Sequence, residues 1–313
     1  MPSMAERPDL TVDLGRGLHL RSPVMVASGT FGYGFDAPQV DRASLGAIVS
    51  KGTTLRPREG NAPIRIAETP SGMLNAIGLQ NPGVDHVARV YAPAWATWDV
   101  PVIVNVAGDS VDEYVAVARR LDRVAGIAGL ELNISCPNVQ SGLQFGVDPA
   151  LAAEVTRAVR ATTDLPLIVK LTPNVTDIVA VARAVQDAGA DAVSAINTYV
   201  GMAIDVRRRR PIISRASGGL SGPAIKPLAL HAVWQVATEV RIPVIGVGGI
   251  MTPSDALEFL LAGAAAVQLG TVNYVRPQAA AEIHDGIAAY LVEHDLPDMR
   301  ELPIRTASVL THV

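Results

Sequence analysis

One cysteine, Cys136, occurs in 313 residues. It cannot form an internal disulfide, and there is no thiol cluster to hold an iron–sulfur centre or a structural zinc. Six histidines (His19, His86, His231, His284, His294 and His312) are scattered, and none pairs with another at metal-ligand spacing. No metal site is expected. Aromatic residues make up 4% of the chain. A large core must therefore be built from Val, Ile, Leu and Ala, as in a parallel sheet covered on both faces. Charged residues are only 18%, with a net charge of −4, so there is no basic excess for nucleic acid. Long apolar runs are also missing. The most hydrophobic segment, Ala256 to Val267, is broken by Glu258 and Gly263 and is too short to span a bilayer. The opening MPSMAERPDLTVDLGRG has no apolar stretch of the secretory kind. The expectation is a soluble cytoplasmic protein with no membrane or nucleic-acid partner.

What the chain does have is a repeated alternation. Eight short β-branched runs recur: Pro23–Ser28, Ala47–Lys51, Val102–Val106, Leu130–Ile134, Leu167–Leu171, Ala192–Ile196, Val244–Val247 and Ala266–Leu269. Nearly continuous apolar runs of this length suit strands buried on both sides. Helical patterns lie between them. Ser110 and Glu113 have capping-box spacing, followed by an apolar face at Tyr114, Ala118, Leu121 and Ala125. Thr176 or Asp177 caps a stripe of Ile178, Val181, Ala182 and Val185 that stops at Gly189. Thr252 then Pro253 starts another helix, which stops at Gly263. DAGADAV at 187–193 and LAGAAAV at 261–267 repeat one pattern: helix end, left-handed glycine, new strand.

Strand–helix alternation implies right-handed βαβ units and a parallel sheet. Eight units predict a closed (β/α)8 TIM barrel, with an open doubly wound sheet as the alternative. The length is normal for one barrel domain spanning residues 1–313. The first twenty or so residues alternate like a short hairpin, expected to plug the bottom of the barrel. Two connections, Gly52 to Asp99 and Thr198 to Ile242, are too long for one helix. Such insertions usually cover the active-site face.

In a barrel all strand C-termini face one mouth. Those ends gather Ser28, Gly29, Lys51, Asn105, Asn133 through Cys136, Lys170, Asn197, Thr198, Gly248, Gly249, Gly270 and Thr271. GVGGI at 246–250 and LGT at 269–271 follow the last two strands, where such barrels seat phosphate on backbone N–H groups. Tight turns alone would also use these glycines. Cys136 falls just past a strand end, before Pro137, which holds it extended. Near its ordinary pKa of about 8.5 a thiol needs only a modest shift to act as a base. A buried inert cysteine is the other reading. Asn75, Asn133, Asn138 and Asn197 present donor and acceptor side by side, matching the edge of a pyrimidine imide. Turn chemistry is the competing account of Asn75 and Asn138. Lys51 and Lys170 sit within apolar runs and need anionic partners, or serve as a Schiff-base lysine. Arg207–Arg210 reads as a solvated loop or a docking surface for another subunit.

Taken together, ASGTFG (27–32), SKGTT (50–54), GMLNAIGLQNPG (72–83), NISCPNV (133–139), VKLTPNVTDI (169–178), INT (196–198), GGLSGPAIKP (218–227), GVGGI and LGT resemble the class 1 dihydroorotate dehydrogenases. The resemblance runs from the first strand to the last. It implies an FMN barrel that oxidises dihydroorotate to orotate in pyrimidine biosynthesis. By the resemblance, Cys136 takes the C5 proton while hydride leaves C6 for flavin N5. Lys51 touches substrate and flavin. Asn75, Ala76, Ile77, Gly78, Leu79, Asn133, Asn197 and Thr198 bind the pyrimidine. Ser28, Gly52, Asn105, Asn133, Lys170, Ile196, Gly222, Gly248, Gly249, Gly270 and Thr271 hold FMN.

The related membrane-linked class has serine at the position of Cys136. Within class 1, NVQSGLQFG (138–146) and GMLNAIGLQNPG look closer to the NAD-dependent subclass than to the fumarate-using one. That subclass pairs a homodimeric barrel core with a partner subunit carrying FAD and a 2Fe–2S cluster. Thr30 departs from the pattern, where cysteine is common, and lies outside the implied catalytic set. The alternatives are the fumarate-dependent enzyme, a flavin-free Schiff-base lyase and a non-catalytic flavoprotein.

Overall fold

The computed structural model describes residues 8–36, 40–135 and 145–302. The eight apolar runs form eight parallel strands. These are β1 (Val24–Val26), β2 (Ala47–Val49), β3 (Val102–Val106), β4 (Gly129–Asn133), β5 (Leu167–Leu171), β6 (Ala192–Ala195), β7 (Val244–Val247) and β8 (Ala266–Leu269). Each pairs with its neighbour in chain order and β8 pairs with β1, so the barrel is closed and the open-sheet alternative falls away. Several runs are longer in sequence than in the ladder. Ser28, Lys51 and Ile196 leave the strands and enter the mouth.

The period of two along each strand sorts the side chains. Met25, Ala47, Val49, Ile103, Ile168, Ala192, Ile245 and Ala266 pack together with Val12, Leu14, Leu18 and Leu20. The last four come from the N-terminal hairpin, in which Val12–Asp13 pairs antiparallel with His19–Leu20. The hairpin therefore plugs the bottom of the barrel, as its alternation predicts. Val24, Val26, Val102, Val104, Leu167 and Val169 take the opposite parity and belong to the core shared with the surrounding helices. Gly246 shows how close that packing is: a Cβ there would lie 2.6 Å from a ring carbon of Phe259.

Helix starts follow side-chain capping. Ser110 accepts from the Glu113 N–H at the head of the helix Val111–Leu121. The Glu113 carboxylate does not complete a capping box; it accepts from the Asp109 N–H at 2.8 Å. That helix ends at Leu121, so Ala125 lies beyond it and is exposed. Val117 completes the buried stripe instead. Asp177, rather than Thr176, caps Ile178–Asp187. Thr252 and Asp255 form a full capping box on Pro253–Leu261. Gly189 and Gly263 both have positive φ just past their helices, as the internal repeat implies.

The two long excursions meet each other. They build one four-stranded antiparallel sheet in the order Tyr199–Gly201, Gly218–Ser221, Gly72–Asn75, Ile66–Thr69. Arg207–Arg210 lies in a small exposed hairpin in which Ile204–Asp205 pairs with Arg210–Pro211. Asp205 caps its turn, accepting from the N–H groups of Arg207 and Arg208 at 3.0 Å each. Among the described residues no helix is long and apolar enough to cross a membrane.

Candidate active site

The strand ends and the excursion sheet enclose a cavity of about 1060 Å³. Inward parity carries several strands from hydrocarbon at the bottom to the lining of the mouth, which is polar on three of them. Met25 is followed by Ala27, Ile103 by Asn105, Ile168 by Lys170, and Val49 by Lys51. All of the upper residues line the cavity. So do Ser28, Gly52, Asn133, Ile196, Asn197, Thr198, Gly248, Gly249, Gly270 and Thr271 from the barrel. Asn75, Ala76, Ile77, Gly78, Leu79 and Gly222 reach it from the excursions. Every site residue expected from sequence that falls within the described residues thus faces one space. Cys136 and Asn138 lie outside the described residues.

The glycine corner is built for close approach. Gly248 and Gly249 have φ of +136° and +75°, and a Cβ on Gly249 would lie 2.8 Å from the Gly222 carbonyl oxygen. Among the described residues, the N–H groups of Gly248, Gly249, Gly270 and Thr271 have no backbone acceptor. Thr271 Oγ1 donates to Ser221 Oγ at 2.8 Å and ties β8 to the excursion sheet. Converging free N–H groups on a glycine turn suit an anion such as phosphate.

The amides are held in set orientations. Asn197 Nδ2 donates to Asn133 Oδ1 at 3.2 Å, and Asn197 Oδ1 accepts from the Thr198 N–H at 2.8 Å. Tyr114 donates to the Asn133 carbonyl at 2.6 Å. Asn75 Nδ2 donates to the Gly219 carbonyl at 3.2 Å. The turn through Gly78 and Leu79 has φ of +75° and +53°. Leucine seldom adopts that conformation unless its surroundings impose it. Asn81 imposes it here: Nδ2 donates to the Leu79 carbonyl at 2.7 Å and Oδ1 accepts from the Gly83 N–H at 2.9 Å.

The two lysines differ. Lys170 is 5% exposed and stands 3.8 Å from Glu131 Oε1. Lys51 has no carboxylate within ion-pair distance among the described residues. Loss of water lowers its pKa, the more distant Asp36 raises it, and nearby Arg65 lowers it again. An ammonium in this state gains from an anionic ligand.

Sequence reading missed the layer beneath. Glu131, Ser194 and Gln268 are fully buried and point inward with Asn105 and Lys170. The signal was present: each is a polar residue inside an apolar run (LELNI, AVSAI, AVQL). Arg65 also lines the mouth and drew no attention, because it lies in an irregular excursion.

A closed eight-stranded barrel with its polar groups gathered at the C-terminal mouth has the layout of a barrel enzyme. Comparison with known proteins gives the family. The model of the family described as "Dihydroorotate dehydrogenase" matches residues 11–291. A protein of Geotalea uraniireducens named "Dihydroorotate dehydrogenase B (NAD(+)), catalytic subunit" is 56% identical over 298 residues, 95% of this chain and 97% of that one. A protein of the same name from Desulforamulus reducens is 57% identical over 296 residues, covering 94% and 97% of the two chains. Another from Desulforudis audaxviator is 57% identical over 288 residues, covering 91% and 94%. The chain belongs to the dihydroorotate dehydrogenase family and is an oxidoreductase.

Proposed function

We propose that this chain is the FMN-binding catalytic subunit of an NAD-linked dihydroorotate dehydrogenase of the cytoplasm, working as one barrel domain over residues 1–313. Oxidation of dihydroorotate to orotate removes a hydride and a proton from adjacent carbons. The observation that carries this reading is the convergence in one cavity of Lys51, without an ion-pair partner among the described residues, and the family's cofactor and pyrimidine residues. The names of the relatives favour NAD over fumarate as the final oxidant.

The residues fit a flavin nucleotide. Asn105 Oδ1 is buried and has no hydrogen-bond partner among the described residues, so it suits a ring N–H donor. The glycine corner at 248–249 and 270–271 suits the phosphate, and Lys170 suits an electron-rich carbonyl edge. When bound, FMN supplies the two-electron acceptor. The chain's own groups do the rest. Lys51 holds the anionic substrate and Asn75, Asn133, Asn197 and Thr198 fix its ring by donor–acceptor pairs. The turn 76–79 borders the ring, and Cys136 Sγ takes the C5 proton as general base.

One cysteine cannot ligate an iron–sulfur cluster, so a cluster serving this enzyme would have to sit on a second subunit. The name "catalytic subunit" borne by the relatives fits that division. We assign FAD and the 2Fe–2S cluster to that partner, docked on a homodimer of this chain. The test is anaerobic titration of the purified yellow protein with dihydroorotate. The flavin absorbance should bleach with one equivalent of orotate formed per flavin. A colourless protein that forms a borohydride-trapped adduct with its substrate would instead favour a Schiff-base lysine.

A further inference from the structure

Five barrel strands send a polar side chain inward to one point beneath the cavity floor. At its centre is Glu131 of β4, fully buried. Its Oε1 accepts from Asn105 Nδ2 of β3 at 2.8 Å and stands 3.8 Å from Lys170 Nζ of β5. Its Oε2 accepts from Ser194 Oγ of β6 at 2.9 Å and from Gln268 Nε2 of β8 at 2.8 Å. Three donors and an ammonium directed at two oxygens call for the acceptor-only carboxylate form.

This carboxylate also fixes two amides. Asn105 and Gln268 must turn their NH₂ groups towards it, which aims Oδ1 and Oε1 the other way. Both oxygens are buried without a partner among the described residues. Asn105 lines the cavity, and a Cβ on Gly52 would lie 3.2 Å from its Oδ1. Glu131 itself does not line the cavity; Asn105 and Lys170 do.

We propose that Glu131 is a positioning residue that sets the reduction potential of the bound flavin, acting through Lys170 and through the orientation of Asn105. The inference rests on the flavin reading above. A cation beside the ring favours the negative charge that reduction places there. A carboxylate behind that cation opposes it. Glu131 thus restrains a pull that Lys170 would otherwise exert in full. It also keeps Asn105 presenting an acceptor and not a donor to the cavity.

The test uses the full chain with its flavin bound. Glu131→Gln keeps the shape and removes the charge. Its NH₂ group also meets donors, so Asn105 is driven to turn over. The midpoint potential of the flavin should rise, and sulfite, which adds an anion to the ring, should bind more tightly by on the order of tenfold. Tenfold corresponds to about 30 mV for a two-electron couple. Glu131→Asp retains the charge one methylene further from Lys170 and should fall between wild type and Glu131→Gln. Lys170→Met should move the potential the other way. A merely structural role would loosen flavin and lower the melting temperature without a signed shift in potential. An unchanged potential and sulfite affinity in a folded Glu131→Gln protein overturns the proposal. If that variant does not fold, Glu131→Asp decides by the same criterion. Wild-type protein that retains no flavin overturns the flavin reading and this inference with it.

Discussion

Lys51 and Lys170 leave the same kind of apolar run, yet their surroundings make them different groups. Lys170 has a buried carboxylate nearby, whereas Lys51 is half-buried and, among the described residues, has only the more distant Asp36 to favour its charge. Burial holds the Lys51 pKa below its ordinary 10.5. In the proposed function its protonated form would bind the anionic substrate, so binding would be full below the lowered pKa and lost as pH rises through it. KM for dihydroorotate should therefore climb at a lower pH than an unperturbed lysine would give. Lys51→Arg, which stays charged, should flatten that rise in a pH series. Cys136 carries a second prediction at this scale. Cys136→Ala should slow flavin reduction by roughly 10²–10⁴ in stopped-flow mixing, the usual worth of a general base. Substrate affinity should change far less, and a normal rate of bleaching would remove the thiol from the mechanism. Its placement at the mouth is an expectation from the Pro137 neighbour and the strand before it, and it lies outside the described residues. Which lysine has a carboxylate beside it was not legible, because Glu131 is distant from Lys170 in sequence.

The turn between the strand Gly72–Asn75 and the helix starting at Val84 shows how an element is held for function. Leu79 has a left-handed backbone conformation that Asn81 stabilises with its own side chain. Asn81 also receives the Thr54 N–H at 3.2 Å and donates to Thr54 Oγ1 at 2.8 Å, which ties the turn to the segment that follows β2. Asn81→Ala leaves those buried groups without partners, at about 1–3 kcal/mol of stability. The turn borders the cavity, so KM should rise more than kcat falls. Steady-state kinetics beside thermal melting would check both. A variant that melts early but keeps its KM would mean that the turn is not held by this residue. Nothing in the run NAIGLQNPG marks Asn81 over Asn75. Only the tertiary structure shows that the first amide faces the cavity and donates to Gly219 of the second excursion, whereas the second braces the backbone of its own excursion.

For the whole molecule, the hairpin and the active site occupy opposite ends of one barrel interior. Leu14 is fully buried among the inward residues at the bottom. Leu14→Ala should lower unfolding stability by about 2–5 kcal/mol. Since the cavity is built at the other end, KM and flavin content at low temperature should stay near wild type. Loss of flavin by that variant in the cold would show that plug and mouth are coupled. The sequence by itself determined the barrel, its eight strands, its plug and, among the described residues, the strand-end residues that line the mouth. These follow from local periodicity, caps and strand-end positions, which are properties of neighbouring residues. Tertiary structure alone decided how the two excursions join into one sheet, which lysine is paired, and that Glu131 stands behind Lys170 and Asn105. Those depend on the closure of the barrel, which brings side chains distant in sequence within hydrogen-bond distance, such as Gln268 and Glu131, 137 positions apart.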